Sequence, residues 1–218
     1  MDIKELEKLI ENDNLSEIIA LLGQEPQLAT ATTSYQTTPV LLACYYKKEA
    51  IANSIANFIP QLDIYDACAL GKLEGVGSIL AQNPSIIDEN CDSGFTPLGL
   101  ACYFAHENIV TFLVEKGADV NIQSKNGYNI FPIHSAALAN NLNIVQLLLS
   151  AGAYPNVCQK TGLTALHTAA QLGNIELIIS LLEQGADITL KTDEGKIPAD
   201  LAAEKGFHEI ADILKLDD

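Results

Sequence analysis

A block of sequence recurs along this chain at an interval of about 33 residues, within the range typical of stacked repeat architectures. That period constrains the fold more than any other feature. Thr164-Ala165-Leu166-His167, preceded by Gly162, returns as Ile197-Pro198-Ala199-Asp200 after Gly195, so that Ala165 and Pro198 hold equivalent places. Pro132-Ile133-His134 precedes Ala165 by the same interval, and Thr96-Pro97-Leu98, after Gly94, precedes Pro132 by an interval slightly longer. The extra length falls between Gly127 and Pro132. Thr38-Pro39-Val40-Leu41-Leu42-Ala43 is another copy. A second landmark follows at fixed distance: Ile109-Val110 leading to Gly117-Ala118-Asp119, Ile144-Val145 to Gly152-Ala153, and Leu177-Ile178 to Gly185-Ala186-Asp187. A period of this length means one supersecondary unit repeated, each copy burying an apolar face against its neighbours.

The residues within the block say what that unit is. Thr before Pro starts a helix, because the hydroxyl accepts from a first-turn N–H and Pro occupies a position that needs no donor. Thr38, Thr96 and Thr164 are expected in that role. Small pairs follow, Ala43-Cys44, Ala67-Cys68, Ala101-Cys102, Ala136-Ala137, Ala169-Ala170 and Ala202-Ala203, which allow close stacking. A second helix carries larger apolar residues at helical spacing, and Gly117, Gly152 and Gly185 supply its left-handed end.

The pattern G-x-T-P-L-H-x-A-A, a break, I-V-x-x-L-L and G-A-D-V-N resembles the ankyrin repeat. That resemblance implies an all-α solenoid of about seven stacked helix-turn-helix units with short β-turn tips. It covers the chain as a single domain, 1–218, with units at about 1–29, 30–60, 61–91, 92–124, 125–159, 160–192 and 193–218. The first three depart most from the pattern. Residues 66–80 match a helix pair but lack the Thr-Pro opening; Asp63 stands where Pro is expected, well short of one full interval after Pro39, so the tip between the second and third units is missing. Lys4, Glu5, Glu7, Lys8 and Glu11 at one end, and Glu204, Lys205, Glu209, Asp212 and Lys215 at the other, read as polar caps of a complete array.

Charge narrows the function classes. The net charge is −16, from 28 acidic against 12 basic residues, and every basic residue is Lys. With no Arg and no basic stripe, nucleic-acid binding and attraction to an anionic membrane are disfavoured; a protein partner, basic in character, is expected. MDIKELEKLI at the start lacks an export-type apolar stretch, and no run approaches a membrane span. Five cysteines without CxxC spacing suit a reducing compartment. A monomeric cytoplasmic protein is expected.

Candidate chemistry is sparse. His134 and His167 hold equivalent places in adjacent units, and the resemblance gives such imidazoles the task of tying tips together; stacked helices lie about 8 to 10 Å apart, too far for one metal. The same spacing excludes a disulfide chain through Cys44, Cys68 and Cys102. Cys91 and Cys158 lie nearer the tips, without an adjacent base. GKLEGVG at 71–77 sits between two helices and not after a strand, so it is no phosphate loop. No catalytic, cofactor or metal residue is assigned.

The aromatics are more informative. The resemblance implies that partners meet the concave face, formed by the tips and the residues after the small pair. There stand Tyr45-Tyr46, Leu70 and Tyr103-Phe104, with Tyr35, Phe95 and Tyr128 at tips. Seven of the 13 Tyr and Phe residues thus occupy places where the fold does not require a large side chain, and aromatic patches serve interfaces as anchors. The leading expectation is a non-catalytic protein-binding scaffold, an adaptor or inhibitor. The alternatives are an enzyme with a site in an irregular N-terminal groove near Cys68 and Asp66, marked by a perturbed carboxylate or thiol, and a purely structural spacer.

Overall fold

A computed structural model describes residues 3–215. The chain divides into two compact parts, Met1–Pro97 and Leu98–Asp218. In the first lie α1 (Ile3–Glu11), α2 (Leu15–Gln24), α3 (Pro39–Tyr45), α4 (Glu49–Ala56), α5 (Ile64–Ala69) and α6 (Leu73–Gln82), with 3₁₀ turns at Pro26–Thr30 and Pro84–Asp88. Then follow α7 (Pro97–Tyr103), α8 (Glu107–Glu115), α9 (Pro132–Leu138), α10 (Leu142–Ser150), α11 (Ala165–Leu172), α12 (Ile175–Glu183), α13 (Pro198–Glu204) and α14 (His208–Ile213). The described residues therefore form fourteen α-helices and no strand, two per expected unit.

Stacking follows the small-residue pattern. In the first part α1 packs on α3 and α3 on α5, while α2 packs on α4. In the second, α9, α11 and α13 pack in succession, as do α8, α10 and α12. Ala43, Ala67, Ala101, Ala136, Ala169 and Ala202 are all fully buried, because nothing larger fits between first helices at this separation. Larger side chains fill the space around the second helices, among them Ile51, Ile55, Ile109, Leu113, Leu148 and Leu181.

The helix boundaries have local causes. Thr38 Oγ1 accepts from Leu41 N–H at 3.0 Å and Thr164 Oγ1 from His167 N–H at 3.4 Å, as the placement of Thr before the first helical residue predicts. Asn141 and Asn174 cap α10 and α12 in the same manner. Each turn within a helix pair places one residue in left-handed conformation: Asp13, Lys47, Gly71, Ala105, Asn140, Gly173 and Gly206. Only three of these seven are glycine, so Ala105 and Lys47 hold a conformation that an ordinary side chain disfavours.

Tips are short hairpin turns. Thr33 N–H donates to Thr37 O, Cys91 to Phe95, Gln159 to Leu163 and Thr192 to Lys196, each at 2.8 to 2.9 Å; the longer fifth-unit tip closes from Ser124 to Ile130. Adjacent tips are joined by Lys160 N–H to Tyr128 O and Asp193 N–H to Thr161 O, at 2.9 and 3.0 Å. Residues 57–63 form no such turn, so the third tip is absent as the short spacing requires. Asp63 does not take proline's place as first helical residue. Its carboxylate caps α5 by accepting from Asp66 N–H at 2.7 Å, the role Thr plays elsewhere, and α5 begins one residue later relative to its small pair.

Candidate binding site

In the first part, the second tip is tied to α1 by carboxylates. Ser34 donates its N–H and Oγ–H to Glu7 at 2.6 and 2.8 Å. The hydroxyls of Tyr35 and Tyr46 converge on one oxygen of Glu11, each at 3.0 Å. The two rings are therefore brought together, yet stay accessible, 51% and 40% exposed. Hydrogen bonding to Tyr35 and Glu11 pushes the Tyr46 hydroxyl up to about 12, so it remains a neutral donor. Tyr45 and Phe95 are half-buried, and Leu70 packs partly against the cluster built around Leu6, Ile10, Ile51 and Ile55.

In the second part, Tyr103 and Phe104 are half-buried and meet edge to face, ring centroids 5.0 Å apart. Tyr128 stands out from its tip, 60% exposed. Tyr154 is equally open at 61% and was not singled out. A signal for it exists: Gly152-Ala153 is followed by Tyr154 where Gly117-Ala118 and Gly185-Ala186 are followed by Asp.

His134 and His167 work as ties. Each Nδ1 accepts the N–H of its helix cap residue, Phe131 at 3.1 Å and Thr164 at 3.2 Å. That leaves Nε2–H to donate to Val157 O at 3.0 Å, just before the sixth tip, and to Lys196 O at 3.2 Å in the seventh. Burial lowers the His134 pKa to about 4, which keeps the imidazole neutral. Both nitrogens are engaged in each ring, so neither is set up as a ligand or general base.

The N-terminal groove contains a real cleft, of about 270 Å³, between the second and fourth tips. Thr38, Asp63, Tyr65, Asp66, Asn90 and Asp92 are among its lining residues. Asp66 is only 3% exposed, at the place where α3 puts Leu42 and α7 puts Leu100. Burial, then the neighbouring Asp63 carboxylate, raise its pKa to about 7, while the Thr38 hydroxyl donating at 2.5 Å opposes the shift. Asp63 is raised as well, by its desolvated position and by Asp92. This is the perturbed carboxylate that marks the enzyme alternative. The other mark, a perturbed reactive thiol, is not met at Cys68, which is fully buried and whose pKa burial drives upward, away from the reactive thiolate. Cys91 does line the cleft, but its Sγ is hydrogen-bonded to the Ser93 hydroxyl at 3.1 Å, and no histidine lines the space.

Residues 8–124 and 133–217 match the family described as ankyrin repeats (3 copies), and residues 100–149 match ankyrin repeats (many copies). Among curated proteins, the chain is similar to the nuclear factor NF-kappa-B p105 subunit of Gallus gallus, 32% identical over 74% of this chain and 17% of that protein. It resembles the B-cell lymphoma 3 protein homolog of Mus musculus, 35% identical over 56% of this chain and 26% of that protein. It also resembles the probable 26S proteasome regulatory subunit p28 of Saccharomyces cerevisiae, 28% identical over 69% of this chain and 68% of that protein. The chain thus spans only about a sixth of the p105 subunit's length and a quarter of the lymphoma protein's.

Proposed function

Because the chain belongs to the ankyrin-repeat family, matched over most of its length, we propose that it is a non-catalytic scaffold, an adaptor or inhibitor, that holds a protein partner on its tips and first helices. The observation that carries the reading is the exposure of Tyr35, Tyr46 and Tyr128, large rings left open at tips and helix ends where the fold asks for none. Tyr45, Leu70, Phe95, Tyr103 and Phe104 complete the proposed contact set, and Tyr154 joins it. Rings such as these desolvate readily while keeping a polar tip, which suits a protein interface.

Two of the relatives are, by their names, subunits of larger assemblies, a role that requires protein contact. The net charge of −16 favours a basic partner and faster encounter at low salt. Five free thiols favour a reducing compartment, and we place the protein in the cytoplasm as a monomer. The cleft at Asp66 favours the enzyme reading in one respect only, since a raised carboxyl is present without an accessible nucleophile and base in contact. The test is native affinity capture from the source cell with quantitative mass spectrometry. A partner recovered in near-equimolar amount, and lost in high salt, is expected; repeated capture with no enriched protein refutes the scaffold reading.

A further inference from the structure

The missing third tip leaves the ladder of tip-to-tip hydrogen bonds broken. In the second part the sixth and seventh tips donate the N–H of their second residues, Lys160 and Asp193, to a carbonyl of the tip before. The corresponding groups around the gap are the Asp92 N–H of the fourth tip and the Tyr35 carbonyl of the second, and neither makes a backbone hydrogen bond among the described residues. The 270 Å³ cleft lies beside them, lined by Asp92 itself and by Gln36, the residue after Tyr35. Its floor is Asp66 with the Thr38 hydroxyl, Asp63 and Asp92 stand at its rim, and no lysine lines it. Asn90 supplies a further acceptor: its Nδ2 donates to Gly94 O at 2.7 Å, while its buried Oδ1 has no partner at all.

An unpaired buried amide oxygen and a buried carboxylate at a core position are both costly to leave as they are. A donor that entered the cleft would satisfy both. The lining offers carboxylate and amide acceptors in several directions, while the Thr37, Thr38 and Tyr65 hydroxyls already donate elsewhere, which matches a guanidinium, with its five N–H groups and no acceptor. A lysine ammonium is a compact charge and engages fewer of them. This chain has no arginine of its own with which to fill the space.

We propose that the gap left by the third tip is a docking slot for an arginine-bearing segment of a partner protein. The segment's backbone bridges Tyr35 O and Asp92 N–H, as a tip does elsewhere, and its arginine enters among Asp63, Asp66, Asp92 and Asn90 Oδ1. Main-chain pairing of this sort gives affinity, and the side-chain pocket gives selectivity. The proposal rests on the scaffold reading and adds to it the chemistry of one contact.

The probe is a seven-residue capped peptide with an Asn-Gly turn and one central arginine, compared with peptides carrying lysine or citrulline there. With the isotopically labelled full chain, the arginine peptide is expected to shift the Asp92 amide and the Asn90 side-chain resonances. The citrulline peptide is expected to leave them unmoved, and lysine to bind at least fivefold more weakly. Asp63→Asn with Asp92→Asn keeps the helix cap, since Asn caps as well as Asp, and is expected to weaken the arginine peptide at least tenfold without changing the melting temperature by more than a few degrees. Equal shifts from arginine and citrulline, or shifts away from the cleft, overturn the slot. The captured partner separates the two readings. If it binds the double variant at full strength yet is lost when Tyr35, Tyr46 and Tyr128 are replaced, the slot is wrong and the scaffold reading stands; if no partner is captured by any version, the scaffold reading itself fails.

Discussion

Replacing Asp66 with asparagine removes a titratable group from a core position while keeping its shape and an acceptor for the Thr38 hydroxyl. In the fold its pKa is about 7, against an ordinary value of 3.8, because burial and the facing Asp63 both disfavour the charge. Below pH 4 the carboxyl is protonated folded or unfolded and contributes no pH dependence. Between pH 4 and 7 the folded chain keeps a proton that the unfolded chain has released, so stability falls as pH rises; above 7 the loss is complete. Three pH units at about 1.4 kcal/mol each set a ceiling of about 4 kcal/mol for that loss. Asparagine does not ionise, so the variant escapes it. The stability difference, variant minus wild type, is expected to grow in the variant's favour from pH 4.5 to pH 8.5, by up to about 4 kcal/mol. Urea unfolding of both proteins at each pH measures this, and taking the difference cancels the titration of groups not coupled to Asp66, which leaves Asp63 as the neighbour whose own shift is relieved with it. Cys44, whose own pKa Asp66 helps to raise, titrates near 12 and stays outside the window. A difference that is flat with pH, or that shrinks as pH rises, refutes the assignment of a buried, destabilised carboxylate.

Ala105→Gly is expected to raise stability by about 1 kcal/mol in thermal unfolding, since glycine holds the φ of 59° without steric penalty. Gly173→Ala is expected to lower it by about 1 kcal/mol or more, roughly the left-handed penalty alone, because a β-carbon there meets the Phe207 ring at 2.6 Å as well. His134 has the opposite pH sign to Asp66: its pKa is depressed to about 4, so the stability it contributes is present above 6.5 and lost as pH falls toward 4. His134→Gln should flatten that acid limb, and urea unfolding at pH 7 and pH 4.5 is the check.

What the sequence made legible was whatever the period governs. Thr38 and Thr164 cap their helices and the short distance from Pro39 to Asp63 meant a lost turn, each from position within a repeated frame; that His134 and His167 tie tips came from the ankyrin resemblance. What it hid depended on contacts between frames. Glu11 lies far along the chain from Tyr35 and Tyr46, which share its oxygen, and nothing local marks it as their acceptor. Asp63 was aligned with proline through the small pair at Ala67-Cys68, but capping chemistry moved the helix start by one residue. Asp66 is the instructive case. Set against Leu42 in the same frame it reads as a carboxylate in a leucine position, yet only the closeness of Asp63, Thr38 and the empty third-tip space shows what that substitution creates.

The central claim is that the open aromatic side chains bind a protein. Its most direct test is a calorimetric titration of the captured partner against the wild-type chain and against a variant with Tyr35, Tyr46 and Tyr128 all changed to serine. These rings are 51%, 40% and 60% exposed, so the variant should remain folded, with a melting temperature close to wild type. Its affinity is expected to fall at least thirtyfold, the roughly 2 kcal/mol of a lost anchor. A folded variant that binds the partner as tightly as wild type contradicts the claim.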